Sequence, residues 1–330
     1  MANRIGIRFD GFENTSETIR VARAAEDAGA SGIWMTQHLG YRDAFVSAMA
    51  FAMQTERATI VPAAVTPYMY HPTTTAMTLA TLAEAFPGRI GVSVAIGNLL
   101  DLKESGRVPG DAVQAVEDYV ADLRALASTE PANGDREAYR LAGARLMFAP
   151  PTSPPVYITA LGSEVAETAG RIADGILLSA GFSVPFVAHC LQLFGDGARA
   201  EGRDPATMPS AAFIHFSVSE DGKRAREDVR RKLAFLFRNR MMAENIAASG
   251  IAIDQDAIVD AVAARDLTKA ARLVPDDAID AFGVAGTVAD CLNALEAYLD
   301  TGLGEPVIQV AGDEQSKALA LQVIREFTGK

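Results

Sequence analysis

Four histidines, His38, His71, His189 and His215, are the natural first place to look for chemistry, since imidazole titrates near neutral pH and ligates metals. They lie far apart in the chain and no strand-like segment carries an HxH pair, so a metallohydrolase centre is not expected and no metal site is assigned. Also missing are a GxGxxG turn after a strand, the GxxxxGK phosphate loop, HExxH and GxSxG, the direct signatures of dinucleotide, ATP, zinc-protease and hydrolase chemistry. What is present is Gly162-Ser163 between a strand pattern and a helix pattern. Free backbone N–H groups at a helix start suit an anion such as a phosphate; on local sequence alone Gly162 equally turns the chain and Ser163 caps the helix. The Arg and Lys run from Lys223 to Lys232 has acids interleaved at helical spacing and reads as a solvated helix face.

The elements that must position these residues alternate in type. Ile5, Ile7 and Phe9 suggest a strand, followed by a helix capped by Thr15 or Ser16 that ends at Gly29. Further strands are expected at 32–36, 58–65, 89–96, 156–160, 175–179, 211–219 and 306–310, with helices between them. The segment through Asn133-Gly134, ending at prolines 150, 151, 154 and 155, reads as a polar, hairpin-like loop, and 221–280 as a helical insertion before the last strand. Eight strands with helical crossovers predict a (β/α)8 barrel, one domain over 1–330; a doubly wound open sheet is the competing arrangement. In a barrel the active site lies at the C-terminal strand ends, here near Arg8 to Asp10, Thr36 to His38, Ala63 to Pro67, Ile96 to Asn98, Thr159 to Ser163, Ser179 to Phe182 and His215.

Composition narrows the setting. The 330 residues are 49% hydrophobic and 22% charged, enough apolar material for a large core. A formal charge of -12 argues against nucleic acid or an anionic membrane as partner. Cys190 and Cys291 are isolated in sequence, so neither a disulfide framework nor a thiolate zinc site is implied, and a cytoplasmic setting fits. Starting at Met1 the chain enters a strand pattern with no export signal, and no apolar run approaches the roughly 20 residues of a membrane span.

Two blocks carry a resemblance. The first holds Ala25-Glu26-Asp27-Ala28-Gly29, Ile33-Trp34-Met35-Thr36-Gln37-His38, the run from Thr55 to Pro72 and the run from Phe86 to Asn98. The second runs from Pro155 through Gly162-Ser163 to Ser179-Ala180-Gly181. In order and spacing they resemble the bacterial luciferase-like flavin oxidoreductases, in particular the deazaflavin branch that includes methylenetetrahydromethanopterin reductase. The likeness covers nearly the whole chain outside the helical insertion.

The resemblance implies a flavin-type ring at the barrel mouth, with coenzyme F420 as the expected cofactor and FMN as the alternative. It implies a bulged third strand at Ala63, Ala64 and Val65, with a cis Ala63–Ala64 peptide against the ring. The cofactor phosphate is expected at Gly162 and Ser163, with Ser179, Ala180 and Gly181 contributing further contacts. His38 becomes the first catalytic residue, near the reactive ring, and Asn98 is expected to face the ring as well. Read without the resemblance, His38 is a structural hydrogen-bonding residue, and His71 starts a helix. Tyr68, Met69, Tyr70 and Phe182 are candidates to wall a flat ligand or to fill the core. Arg8, Gln37 and Asn98 stand where relatives commonly carry acids. Arg8 therefore offers a cation for a substrate carboxylate or an anionic reduced flavin, or else half of an ion pair. The expected function is F420-dependent hydride transfer with a small organic substrate, in a homodimer; the alternatives are an FMN-dependent monooxygenase and a non-catalytic flavin-binding paralogue.

Overall fold

The computed structural model describes residues 3–330; Met1 and Ala2, part of the N-terminal reading above, lie outside them. Eight parallel strands form the barrel: β1 (Gly6–Phe9), β2 (Gly32–Thr36), β3 (Thr59–Ala63), β4 (Val92–Val94), β5 (Val156–Ala160), β6 (Gly175–Leu178), β7 (Ser210–Phe213) and β8 (Glu305–Gln309). Each pairs with its sequence neighbour, β8 returns to β1 with Gly6 opposite Val307, and isolated bridges Ile60–Ile90 and Val65–Val94 join β3 to β4. The result is the expected (β/α)8 barrel.

Alternation along the strands sorts side chains into two cores. Ile7, Phe9, Ile33, Met35 and Ile308 point outward and are buried under the helices. Trp34, Val61, Ala63, Tyr157, Leu177, Ala211, Phe213 and Val307 fill the barrel itself. The floor of the barrel is polar at one point. Glu305, 6% exposed, accepts from Trp34 Nε1 at 3.0 Å and from Ser31 Oγ at 2.5 Å.

The carboxylate of Glu26, on helix Thr15–Ala28, ties the start of β3 to that helix: Oε1 accepts from the N–H groups of Arg57 and Ala58, each at 2.7 Å, and Oε2 from Glu56 at 2.9 Å. Helices Ser163–Ile172 and Val184–Ala200 cross with their backbones nearly touching, because Gly170 and Gly197 carry no Cβ. A Cβ on Gly170 would overlap the Phe194 carbonyl, and one on Gly197 the Glu167 carbonyl.

The polar excursion is a hairpin of Ala132–Asp135 and Arg140–Ala144, in keeping with its hairpin-like reading. The structure departs from the sequence reading in three places. The cap of the first helix is Asn14, whose side chain accepts from Glu17 N at 2.9 Å, instead of Thr15 or Ser16. The strand expected over 211–219 breaks after Phe213; His215–Val218 leaves the barrel and pairs in parallel with Gly283–Gly286, a strand not foreseen. That pair fits because Gly283 is bare: a Cβ there would lie 2.9 Å from Val229 and 3.0 Å from the His215 carbonyl. Between β7 and β8, helices from Gly222–Phe237 to Asp276–Phe282 fill the expected insertion.

Candidate active site

At the C-terminal end of β1, Arg8 points into the barrel mouth beside Phe213, its guanidinium carbon 5.3 Å from the ring centroid. Its Nε is buried and unpartnered, and among the described residues no carboxylate comes within 4.0 Å of it. Asp10, two residues on, is held through both oxygens by the Gln309 amide, at 3.0 and 2.9 Å. Burial pulls the Arg8 pKa down, and the Asp10 charge opposes that shift.

His38 follows β2, half-buried, stacked on Phe12 with ring centroids 5.4 Å apart. Burial lowers its pKa, Asp10 and Asp101 pull the other way, and Arg8 adds to the lowering. The imidazole is thereby biased towards the neutral form, able to donate or accept a proton. Thr36, at the end of the same strand, buries a hydroxyl with no partner. The Ala63–Ala64 peptide is cis, as expected; Val65 N donates to Ser93 O at 2.9 Å and the Ala63 carbonyl accepts from Gln37 N at 3.2 Å. Ala63 and Val65 are fully buried, and Ala64 between them is half-buried.

His215, where the chain leaves the barrel, has both ring nitrogens buried and unpartnered. Burial, then the Arg8 and Lys232 charges, push its pKa down to about 3, so the ring is neutral at physiological pH. Lys232 turns its ammonium back from helix Gly222–Phe237 to the Phe216 carbonyl at 3.2 Å. Burial of that head group, with Arg8, lowers its pKa against the opposing Asp228 and Asp10 charges. The charged run is the expected solvated helix face, with Lys223, Arg224, Arg231 and Lys232 exposed along it and the Lys232 head group alone folded back to the Phe216 carbonyl.

Gly162 precedes helix Ser163–Ile172 without any side-chain cap, so its first-turn N–H groups are available to an anion. One carboxylate already reaches this point. Glu244, from helix Ala243–Ser249 of the insertion, accepts from Ser163 Oγ at 2.5 Å, and Ser163 Oγ also lies 3.1 Å from His189 Nε2. The donor set fits a cofactor phosphate once the Glu244 side chain swings aside. Gly181, at φ +80°, is pressed against His215 and Leu236, and its carbonyl accepts from the buried Asn245 amide at 2.8 Å. Asn245 also accepts from Ser183 N at 2.8 Å, which fixes the Ser179-Ala180-Gly181 turn through the insertion.

The other candidates make contacts of their own, and His71 and Phe182 take the helix-start and core places open to them from the sequence. Asn98 is exposed and uses its Oδ1 to cap helix Leu99–Glu104, accepting from Leu100 N at 2.9 Å. Phe182 packs against Phe186 in the outer core, and Tyr70 donates to Asp43 at 2.9 Å, so neither is free to wall a ligand. His71 caps helix Pro72–Ala85. Burial pushes both Cys190 and Cys291 thiols up to about 12, which removes a thiolate nucleophile. Gln309, Lys232 and Glu244 were not singled out from the sequence, because each reaches the mouth only through contacts spanning many residues.

The C-terminal end of this (β/α)8 barrel thus brings together the His38 and His215 imidazoles, the Arg8 guanidinium and a helix start without a side-chain cap. The chain belongs to the luciferase-like monooxygenase family, whose model matches residues 4–305. It is similar to 5,10-methylenetetrahydromethanopterin reductase of Methanolobus tindarius, 26% identical with 96% of this chain and 97% of that protein covered. It is also similar to the F420-dependent glucose-6-phosphate dehydrogenase of Nocardia farcinica, 26% identical with 92% of this chain and 91% of that protein covered. Among solved structures, the coenzyme F420 dependent tetrahydromethanopterin reductase from Methanopyrus kandleri superposes with a TM-score of 0.86 over 98% of both chains at 22% identity, which shows a shared fold. These relatives are oxidoreductases by name. Among the described residues no helix is long and apolar enough to cross a membrane.

Proposed function

We propose that this protein is an F420-dependent oxidoreductase that exchanges hydride with a small organic substrate at the barrel mouth, acting as one barrel unit in the cytoplasm. The observation that carries the reading is the helix start at Gly162–Ser163, without a side-chain cap and with the Ser163 hydroxyl donating to a carboxylate, on the same barrel face as the half-buried His38. Bound there, a deazaflavin supplies the hydride chemistry itself. The chain's own part is to hold and orient. Gly162 and Ser163 hold the phosphate, with Ser179, Ala180 and Gly181 beside it. Ala63, Ala64 and Val65 form the wall for the ring. His38 holds or delivers a proton, Arg8 orients substrate, and Asn98 shapes the rim through the helix it caps.

FMN-dependent oxygenation is the second reading, and the absence of carboxylates at Arg8, Gln37 and Asn98 supports a third, a non-catalytic flavin-binding paralogue. Exposed Val46, Met53 and Met77, on the neighbouring helices Ala44–Gln54 and Pro72–Ala85, support a homodimer. Titration of the purified protein with F420 and with FMN, followed by fluorescence quenching, tests the proposal. Selective F420 binding, with His38→Asn slowing turnover about 100-fold or more while leaving F420 affinity intact, is the expected result. FMN selectivity supports the second reading, and binding of neither refutes both. F420 binding with unchanged turnover in His38→Asn reassigns the proton-transferring residue.

A further inference from the structure

We infer that Arg8, His215 and Lys232 form a subsite for an anionic oxygen group of the substrate, a carboxylate or a phosphate. The inference rests on the barrel mouth being the reaction site. An arginine drawn out of water without an acid to neutralise it is costly, and proteins keep such a group where a ligand completes it. Arg8 meets this description: its Nε is buried with no acceptor, and Phe213 covers its face. The nearby acid, Asp10, is occupied at both oxygens by Gln309.

His215 adds two buried ring nitrogens with no partner, one of them a donor in the neutral ring. Lys232 brings a second cation from the insertion, anchored only by the Phe216 carbonyl. Arg8, over the Phe213 ring, and Lys232, on the Phe216 carbonyl, thus flank from different elements the short segment that carries the unpartnered His215 ring. The acids facing them are Asp10 and, on the helix of Lys232, Asp228. A planar guanidinium fork matches a carboxylate or phosphate edge through two parallel bonds, which a neutral substrate cannot offer. The resulting substrate class is a small acid or phosphate ester, and Arg8 is the positioning residue that selects it.

The chain supplies its own reporter. Trp34 is the only tryptophan and stands directly opposite Arg8 in the pairing of β1 with β2. Trp34 emission and calorimetry are followed as the purified protein is titrated with butyrate, with inorganic phosphate and with butyramide, the neutral isostere. Butyrate or phosphate is expected to bind about tenfold or more tightly than butyramide, and whichever binds tighter identifies the oxyanion. Arg8→Met should weaken anion binding about tenfold, and Lys232→Met, on a surface helix, about threefold with a smaller salt dependence. Equal binding of butyrate and butyramide, or anion affinity untouched in both variants, overturns the subsite. FMN and F420 titrations of the same variants form a separate arm. Unchanged cofactor affinity supports a substrate site, whereas parallel loss of cofactor and butyrate binding assigns Arg8 to the cofactor and overturns it. Failure of the wild-type protein to bind either cofactor refutes the proposed function, while the butyrate and butyramide comparison still decides whether an anion site exists.

Discussion

Glu26 is the strongest test of how the barrel end opposite the mouth is held in shape. At 4% exposure its carboxylate gathers the backbone N–H groups of Glu56, Arg57 and Ala58, just before β3 begins at Thr59. Burial works to raise its pKa, but those backbone bonds outweigh it and leave the group below the ordinary 4.5. The ionised form is therefore favoured in the folded state, so its contribution is complete above 4.5 and is lost as pH falls through the lower folded value. Glu26→Gln removes the charge and turns one acceptor into a donor against the same N–H groups. With charged hydrogen bonds worth about 1.5–3 kcal/mol each, and one or two of them lost, the variant should be about 2–4 kcal/mol less stable near pH 7. At about 2 °C per kcal/mol for a chain of this size, the melting temperature should fall by about 4–8 °C. Urea titrations of both proteins from pH 7 downwards provide the assay. The gap should narrow once the pH passes below 4.5, since protonation removes the advantage from the wild-type protein alone. Equal midpoints near neutrality, or a gap that widens in acid, would refute the reasoning.

Two further substitutions probe other parts of the molecule. Glu244→Gln withdraws a negative charge from the start of helix Ser163–Ile172; because the pair is exposed, F420 or FMN should bind only about two- to fivefold more tightly, an advantage that fades in high salt. Weaker binding in that variant would mean that Glu244 supports the cradle instead of competing for it. Gly197→Ala forces a methyl group onto the Glu167 carbonyl, and thermal melting should show a loss of about 1–3 kcal/mol or more; an unchanged melting temperature would show that the two helices separate freely.

Strand and helix alternation was legible because several barrel strands are short runs rich in Ile, Val, Leu or Met bounded by turns, as in Gly32–Thr36 and Gly175–Leu178. Gly283–Gly286 was not, since four small residues have neither a β-branched run nor an alternation to betray them; only its tight fit against Val229 and His215 makes it a strand. The break at Ile214 was hidden by continued alternation through His215 and Ser217. For the site, residues at strand ends such as Arg8, Thr36 and His38 followed from barrel geometry. Lys232 and Glu244 did not: a surface-patterned helix gives no sign of which of its charges turns inward, and the contact of Ser163 with Glu244 spans 81 residues.

The meeting of β1 and β8 has a consequence for synthesis. Asp10 is fixed by Gln309, 299 residues later, and Gly6, Ile7 and Arg8 find their second strand only when Val307, Ile308 and Gln309 arrive. A ribosome adding about 5–20 residues per second reaches that point tens of seconds after making Arg8. Through that interval the growing chain has neither a closed ring nor a settled neighbour for its buried cation. The mouth is thus among the last features to mature, and the unfinished β1 edge is the surface that a nascent-chain chaperone has most reason to cover.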